Sequence, residues 1–305
     1  MTFPAVGTWT LVSGTGVITD IHDLNSVVNG LSIGANTFQW SVVNGLCGNT
    51  NDQVTIFVYA GNNAVADAGP DQEYCDPAGV AVMAGSAVTY PATGLWTLVS
   101  GSATITDPTS PVTTISDLQI GENIFVWTVT NGPCANPVTT DTISIRVFDH
   151  LSPPAAAGPD QVMCTPTTST TLAGSAVIFP AEGTWTLTQG SAVFADLHSP
   201  TTGVSGLGIG ENILRWTVAN GPCENGISFD EVTITVYDSG NPTADAGPDQ
   251  IHCHPDTVAT MAGSAVTFPA TGIWTLVTGS GVITDPTSPT TTITGLSVGE
   301  SVFQW

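Results

Sequence analysis

The chain has 305 residues, of which 9% are charged, with two arginines, no lysine and a formal net charge of −23. Such an acidic chain is repelled by nucleic-acid phosphates and by anionic membrane surfaces, so neither is expected as a partner. No apolar run approaches the roughly 20 residues needed to cross a bilayer, so no membrane insertion is expected.

In chain order, the dominant feature is a tryptophan pair that returns four times. Trp9 and Trp40, Trp96 and Trp127, Trp185 and Trp216, and Trp274 and Trp305 are each 31 residues apart. Successive pairs follow at 87, 89 and 89 residues. A fixed period of this kind marks a tandem array. Residues 83–127 and 261–305 agree at 32 of 45 positions, which points to one scaffold job repeated.

The expected organisation is a partial repeat at 1–60 lacking its N-terminal strands, complete repeats at 64–149 and 153–238, and a partial repeat at 243–305 lacking its last strand. Met1-Thr2-Phe3-Pro4-Ala5 stands where Val266-Thr267-Phe268-Pro269-Ala270 stands later, and the sequence stops at Trp305 inside a repeat. The expectation is a window on a longer protein, in which a signal peptide is neither visible nor required.

Within 64–149, the runs Val80–Val88, Leu95–Val99, Ile124–Thr130 and Thr142–Phe148 are short and β-rich, separated by Gly, Pro, Asn and Asp. No helical period is present, and the spacing predicts an all-β sandwich of seven strands. Alternation puts Trp96 and Leu98 on one face and Phe125, Trp127 and Val129 on another, with Ile143, Ile145 and Val147 inward and Arg146 outward. All eight tryptophans are assigned to the core rather than to a sugar-stacking platform, because both positions recur without exception. The linkers at 60–69, 149–158 and 238–247 are short and rich in Gly, Pro, Ala or Asn, which favours a semi-rigid array.

Several motifs invite chemistry and are discounted. Gly30-Leu31-Ser32-Ile33-Gly34 and Gly295-Leu296-Ser297-Val298-Gly299 match G-x-S-x-G, but Gln119 and Gly208 replace the serine in the sister repeats. That pattern needs a strand–turn–helix setting. His252-Cys253-His254 could offer two imidazoles to zinc, but its equivalents are Tyr74-Cys75 between Glu73 and Asp76, and Met163-Cys164 between Val162 and Thr165. No catalytic residue and no cofactor is expected. Calcium is the metal that the junction carboxylates Asp67, Asp71, Asp149, Asp160, Asp238, Asp245 and Asp249 would suit, against the reading of a solvated acidic edge. Ala156 stands in place of Asp67 and Asp245.

The unit resembles a PKD-like (polycystic-kidney-disease-like) immunoglobulin-fold repeat. The resemblance is carried by Ala66-Asp67-Ala68-Gly69-Pro70-Asp71-Gln72, Met83-Ala84-Gly85-Ser86, Gly94-Leu95-Trp96, Phe125-Val126-Trp127-Thr128-Val129 and Thr142-Ile143-Ser144-Ile145. It covers essentially the whole chain, giving a fold class of tandem immunoglobulin-like, PKD-like β-sandwiches of about 89 residues each. A cysteine after Asp-Gln and another after Asn-Gly look like those of giant surface proteins of Bacteroidota, among them gliding-motility adhesins of the SprB type. What the resemblance implies is secretion, through the type IX system, to an extracellular, cell-surface location. It also implies O-glycosylation of Asp-Thr-aliphatic sites, which would fall on Thr142 and Thr257.

The cysteines follow the repeat: Cys75, Cys164 and Cys253 after Asp-Gln, and Cys47, Cys134 and Cys223 after Asn-Gly. A regular cysteine pattern on an extracellular-looking chain argues for disulfides. Two connectivities stand open, with free thiols as a third reading. One is within a repeat, Cys75–Cys134 and Cys164–Cys223. The strand order implied by the family puts those partners at opposite poles, and so favours a bond between neighbouring repeats, Cys75–Cys223. The other four cysteines would then look to repeats outside this sequence.

The function expected from all this is a non-enzymatic stalk segment of a secreted surface adhesin or filament, a semi-rigid spacer. Its partners would be neighbouring repeats of the same protein, with surface polysaccharide or other filament strands as further candidates. The competing readings are a glycan-binding array and the accessory repeats of a secreted hydrolase.

Overall fold

A computed structural model describes residues 5–62, 65–224, 226–241 and 243–305. The expected repeat starts at residues 1 and 64, and Met1 to Pro4 of the aligned opening segment, lie outside the described residues. The described chain is all-β, apart from a 3-10 turn at Gly45–Cys47. It falls into two compact units, Met1–His150 with Gly221–Glu224, and Leu151–Asn220 with Asn225–Trp305.

In the first unit, residues 72–148 form two sheets. The larger has the order Gln72–Cys75, Val138–Phe148, Gly121–Thr130, Thr93–Ser100. The smaller has Ala81–Ala84, Val112–Ser116, Thr104–Ile105. All neighbours are antiparallel except Gln72–Cys75, which runs parallel to Ile145–Phe148. The second unit repeats the scheme. Its larger sheet is Gln161–Cys164, Ile227–Tyr237, Gly210–Ala219, Glu182–Gln189, and its smaller is Thr170–Thr171, Gly203–Ser205, Val193–Phe194.

The 31-residue interval is a strand register. Trp96 and Trp127 are direct cross-strand partners, as are Trp185 and Trp216, and Trp9 and Trp40. Their ring centroids lie 4.9–5.0 Å apart, tilted by 37–48°. Alternation from a shared register puts both rings on the same inner face, so Trp96 and Phe125–Trp127–Val129 do not face apart. At about 200 Å² per ring and about 25 cal/mol/Å², each fully buried tryptophan stabilises by roughly 5 kcal/mol before entropy is charged.

Glycine shapes the space for these rings. A Cβ on Gly94 would collide with the ring of Trp127, and one on Gly183 with that of Trp216. A Cβ on Gly85 would stand 2.9 Å from Trp96 and 3.1 Å from Trp127. The strand ends at Ala84, four residues short of the Val88 expected from β-propensity. The indole N–H groups are satisfied by backbone: Trp127 Nε1 donates to Ser86 O at 3.2 Å, and Trp216 Nε1 to Ser175 O at 3.2 Å.

Trp96, Trp127, Trp185, Trp216 and Trp274 are each at most 1% exposed. Trp9, Trp40 and Trp305, expected in the core as well, are half-buried. Trp40 has no described counterpart of the Gly85-Ser86 cover, and with Trp9 it lines an open pocket beside Leu24, Asp52, Gln53 and Val54. Trp305 keeps its cover, donating to Ser264 O at 3.0 Å, but has no last strand on its other edge.

Candidate functional site

The first unit brings together two parts of the chain that the sequence holds far apart. Cys75 is the last residue of its short strand and pairs in register with Phe148, the last residue of Val138–Phe148. The segment Gly221–Glu224 belongs to the same unit, and Cys75 and Cys223 are disulfide-bonded. Their Cα atoms are 5.1 Å apart across a sequence separation of 148. Cys223 is 8% exposed. Its sulfur lies 3.8 Å from Phe148 O, a packing contact, since a half-cystine has no proton to donate.

Glycine is demanded twice over beside this bond. Gly221 has φ +54°, a left-handed conformation that other residues adopt at a cost. A Cβ there would also stand 2.5 Å from the ring of Phe148. The same device recurs once more in this unit, where Gly132 has φ +56° and its missing Cβ faces the ring of Tyr59 at 2.5 Å. Asn131 Nδ2 adds a bond to Ala60 O at 3.3 Å. Gly45 holds the equivalent conformation, φ +58°, with nothing within 4 Å of its Cβ position. The arrangement is a socket of glycine and cysteine that receives an aromatic ring and a second cysteine.

The remaining cysteines are unbonded. Cys47, Cys164 and Cys253 are exposed and Cys134 is half-exposed. The within-repeat pairs Cys75–Cys134 and Cys164–Cys223 are therefore not formed.

The junction aspartates act on backbone N–H groups. Asp71 Oδ1 accepts from Ser144 N at 2.8 Å, and Asp160 Oδ1 from Thr233 N at 2.8 Å. Asp67 and Asp245 close turns onto Gly69 N and Gly247 N, each at 2.9 Å, and Asp238 accepts from Gly240 N at 2.8 Å. Asp149 is half-buried and Asp249 exposed. Among the described residues no three carboxylates, imidazoles or thiols come together as a metal-binding group, at the junctions or at His252-Cys253-His254. His252 instead sits 3.2 Å from Asp256 and 3.2 Å from Gln250. The His252 hydrogen bond, with the Val258 N–H, holds the Asp256 carboxyl below the usual carboxylate range.

The discounted serines have structural partners. Ser32 Oγ donates to Asn36 Oδ1 at 3.1 Å, an amide oxygen that cannot serve as a base. Ser297 Oγ lies 2.6 Å from Ser280 Oγ. Thr142 is exposed and Thr257 half-buried. The aspartates before them are engaged: Asp141 Oδ2 accepts from Ala68 N at 2.8 Å, and Asp256 Oδ1 from Val258 N at 3.2 Å.

Two features escaped the sequence reading. One is a buried asparagine four residues before each second tryptophan. Asn123, 1% exposed, accepts from Ser102 N at 3.0 Å and donates to Gln119 O at 3.0 Å and Ile145 O at 3.3 Å. Asn212 and Asn36 do the same work, and Ser301 replaces them in the last repeat. The constant offset from Trp was the available signal. The other is how the Ala-Asp-Ala-Gly-Pro-Asp-Gln segment is held: Ala66 N bonds Thr139 Oγ1 at 2.8 Å and Ala68 N bonds Asp141 Oδ2. In the second unit, Ala155 N and Ala157 N bond Ser228 Oγ and Asp230 Oδ2.

No family model matches the chain. The mouse dyslexia-associated protein KIAA0319-like protein is 29% identical over 203 residues, which is 62% of this chain. The chain spans 19% of the length of that curated relative. The solution structure of the PKD domain from KIAA 1837 protein is 25% identical, covers 32% of this chain and 98% of its own, with a TM-score of 0.26. The structure of Sidekick-1 immunoglobulin domains 1–4 is 12% identical, covers 97% of this chain and 84% of its own, with a TM-score of 0.30. No helix among the described residues is long and apolar enough to cross a membrane.

Proposed function

We propose that this chain is a non-enzymatic, extracellular structural segment, a spacer built of repeats at 64–149 and 153–238 flanked by partial ones. Its place is the stalk of a secreted surface adhesin, and its immediate partners are neighbouring repeats. The observation that carries this reading is the use made of the repeat ends. Where an enzyme or lectin would open a cleft, this chain uses its repeated geometry, Gly132 on Tyr59 and Gly221 on Phe148 with Cys75–Cys223, to grip another part of itself. The fully buried tryptophans are closed to a sugar. The bacterial gliding-adhesin setting, with type IX secretion, rests on the sequence resemblance.

Small-angle scattering of the whole chain tests the spacer. A compact globule of this length has a radius of gyration of about 19 Å. The spacer reading expects a value well above that, and a value near it would overturn the reading.

A further inference from the structure

Bond connectivity decides which residues of a chain carry tension. A pull on the two ends follows the shortest covalent route. In an uncross-linked chain that route is the whole backbone. With Cys75 bonded to Cys223, it runs along the backbone to Cys75, crosses the two sulfurs and resumes at Cys223. The intervening stretch, a separation of 148 in a chain of 305, becomes a closed loop off the route. That loop holds the strands Ala81–Ala84 to Val138–Phe148 and Gln161–Cys164 to Gly210–Ala219. Gln72–Cys75 and Ile227–Tyr237 stay on the route.

The position of Cys75 suits such a bypass. The segment before it is fixed sideways to the last strand, by Ala66 N to Thr139, Ala68 N to Asp141 and Ser144 N to Asp71, and then by the parallel pairing of 72–75. Cys75 is the last rung of that pairing, opposite Phe148. Tension therefore travels the length of an edge segment and leaves through its final side chain, with the body of the sandwich attached laterally. Without the sulfur exit, the same tension would have to pass through every strand between Cys75 and Phe148.

We propose that the Cys75–Cys223 bond is an extension limiter. While it is intact, the sandwich strands inside the loop are shielded from end-to-end load, and the redox state of one bond sets how far the chain lengthens. At about 3.5 Å per extended residue, the loop withholds on the order of 500 Å of contour. This deepens the spacer reading and rests on it for its use, but the measurement does not.

The test is single-molecule force spectroscopy on the whole chain held by its two ends, before and after dithiothreitol, which reduces the disulfide to two thiols and is itself oxidised to its cyclic disulfide. The oxidised chain is expected to release about half the contour length of the reduced one. Cys223→Ser without reductant should match the reduced chain, with tryptophan fluorescence at zero force unchanged to show that the fold persists. A chain carrying serine at 47, 134, 164 and 253 should keep the short, oxidised length. Release of the full length by the oxidised chain would overturn the proposal, as would two shorter locked loops from Cys75–Cys134 and Cys164–Cys223. A compact scattering profile would instead remove the spacer reading and leave the limiter standing.

Discussion

Trp127 and Trp40 occupy the same register position in two repeats and meet different fates. Trp127 is 0% exposed, sealed by Gly85, Gly94 and the Ser86 carbonyl on one side and by Val138–Phe148 along its edge. Trp40 has its edge strand, Asn49–Val58, but no described cover, and stays half-buried. The last repeat supplies the converse case. It has the cover but no edge strand, and Trp274 is still 1% exposed. Trp305, at the position of Trp127, nevertheless stays half-buried, so sealing the whole pair takes both the glycine-serine cover and the edge strand.

Five substitutions sharpen this comparison. Trp127→Ala should cost about 3–5 kcal/mol, and Trp40→Ala less, because Trp40 buries less area. Thermal melting followed by the remaining tryptophans would show the gap, and equal losses would break the comparison. Gly94→Val drives a branched side chain into the Trp127 ring, at about 1–3 kcal/mol or more. Asn123→Ala should cost about 1–3 kcal/mol by stranding the Ser102 N–H and two carbonyls. Asn212→Ser, copying Ser301, should cost less. If Asn123→Ala melts like the parent chain, the polar post beneath the tryptophans is dispensable.

Acid gives a smaller effect. The hydroxyl of Thr109, followed by its N–H, holds Asp107 below the ordinary carboxylate value of 3.8, and Thr287 does the same for Asp285. A depressed folded value stabilises above the unfolded one and is lost as pH falls through the folded one. Melting should therefore be insensitive to these groups from pH 7 to 5 and decline below about pH 4, with a shallower decline in Asp107→Asn. Smallest of all, chelation should leave the melting temperature unchanged, since no cluster of three carboxylates is assembled among the described residues. A drop on adding EDTA would instead support calcium at the junctions.

How legible this was in the sequence follows from how each feature is encoded. The tryptophan pair was legible because a 31-residue interval is a two-strand register. The partly covered Trp9, Trp40 and Trp305 were not, because burial depends on segments distant in sequence. The short strands Thr104–Ile105 and Val112–Ser116 leave almost no alternation to detect. Gln72–Cys75 was hidden for another reason: the segment before it is tied down by the side chains of Thr139, Asp141 and Asp71 rather than by a continuous ladder. Asn123 looked like one polar residue among many until Ser102 N and Ile145 O were found on either side of it.

The aromatic–glycine socket also bears on heredity. Tyr59 and Phe148 fill the same kind of socket, and Gly132 and Gly221 receive them with the same backbone. Recombination between the matching stretches of the gene would remove or insert whole periods of about 89 codons, and each product would again set an aromatic ring against a glycine and a cysteine within reach of a cysteine. A deletion of half a period would orphan both. Alleles of different length but unbroken phase are what such an arrangement permits.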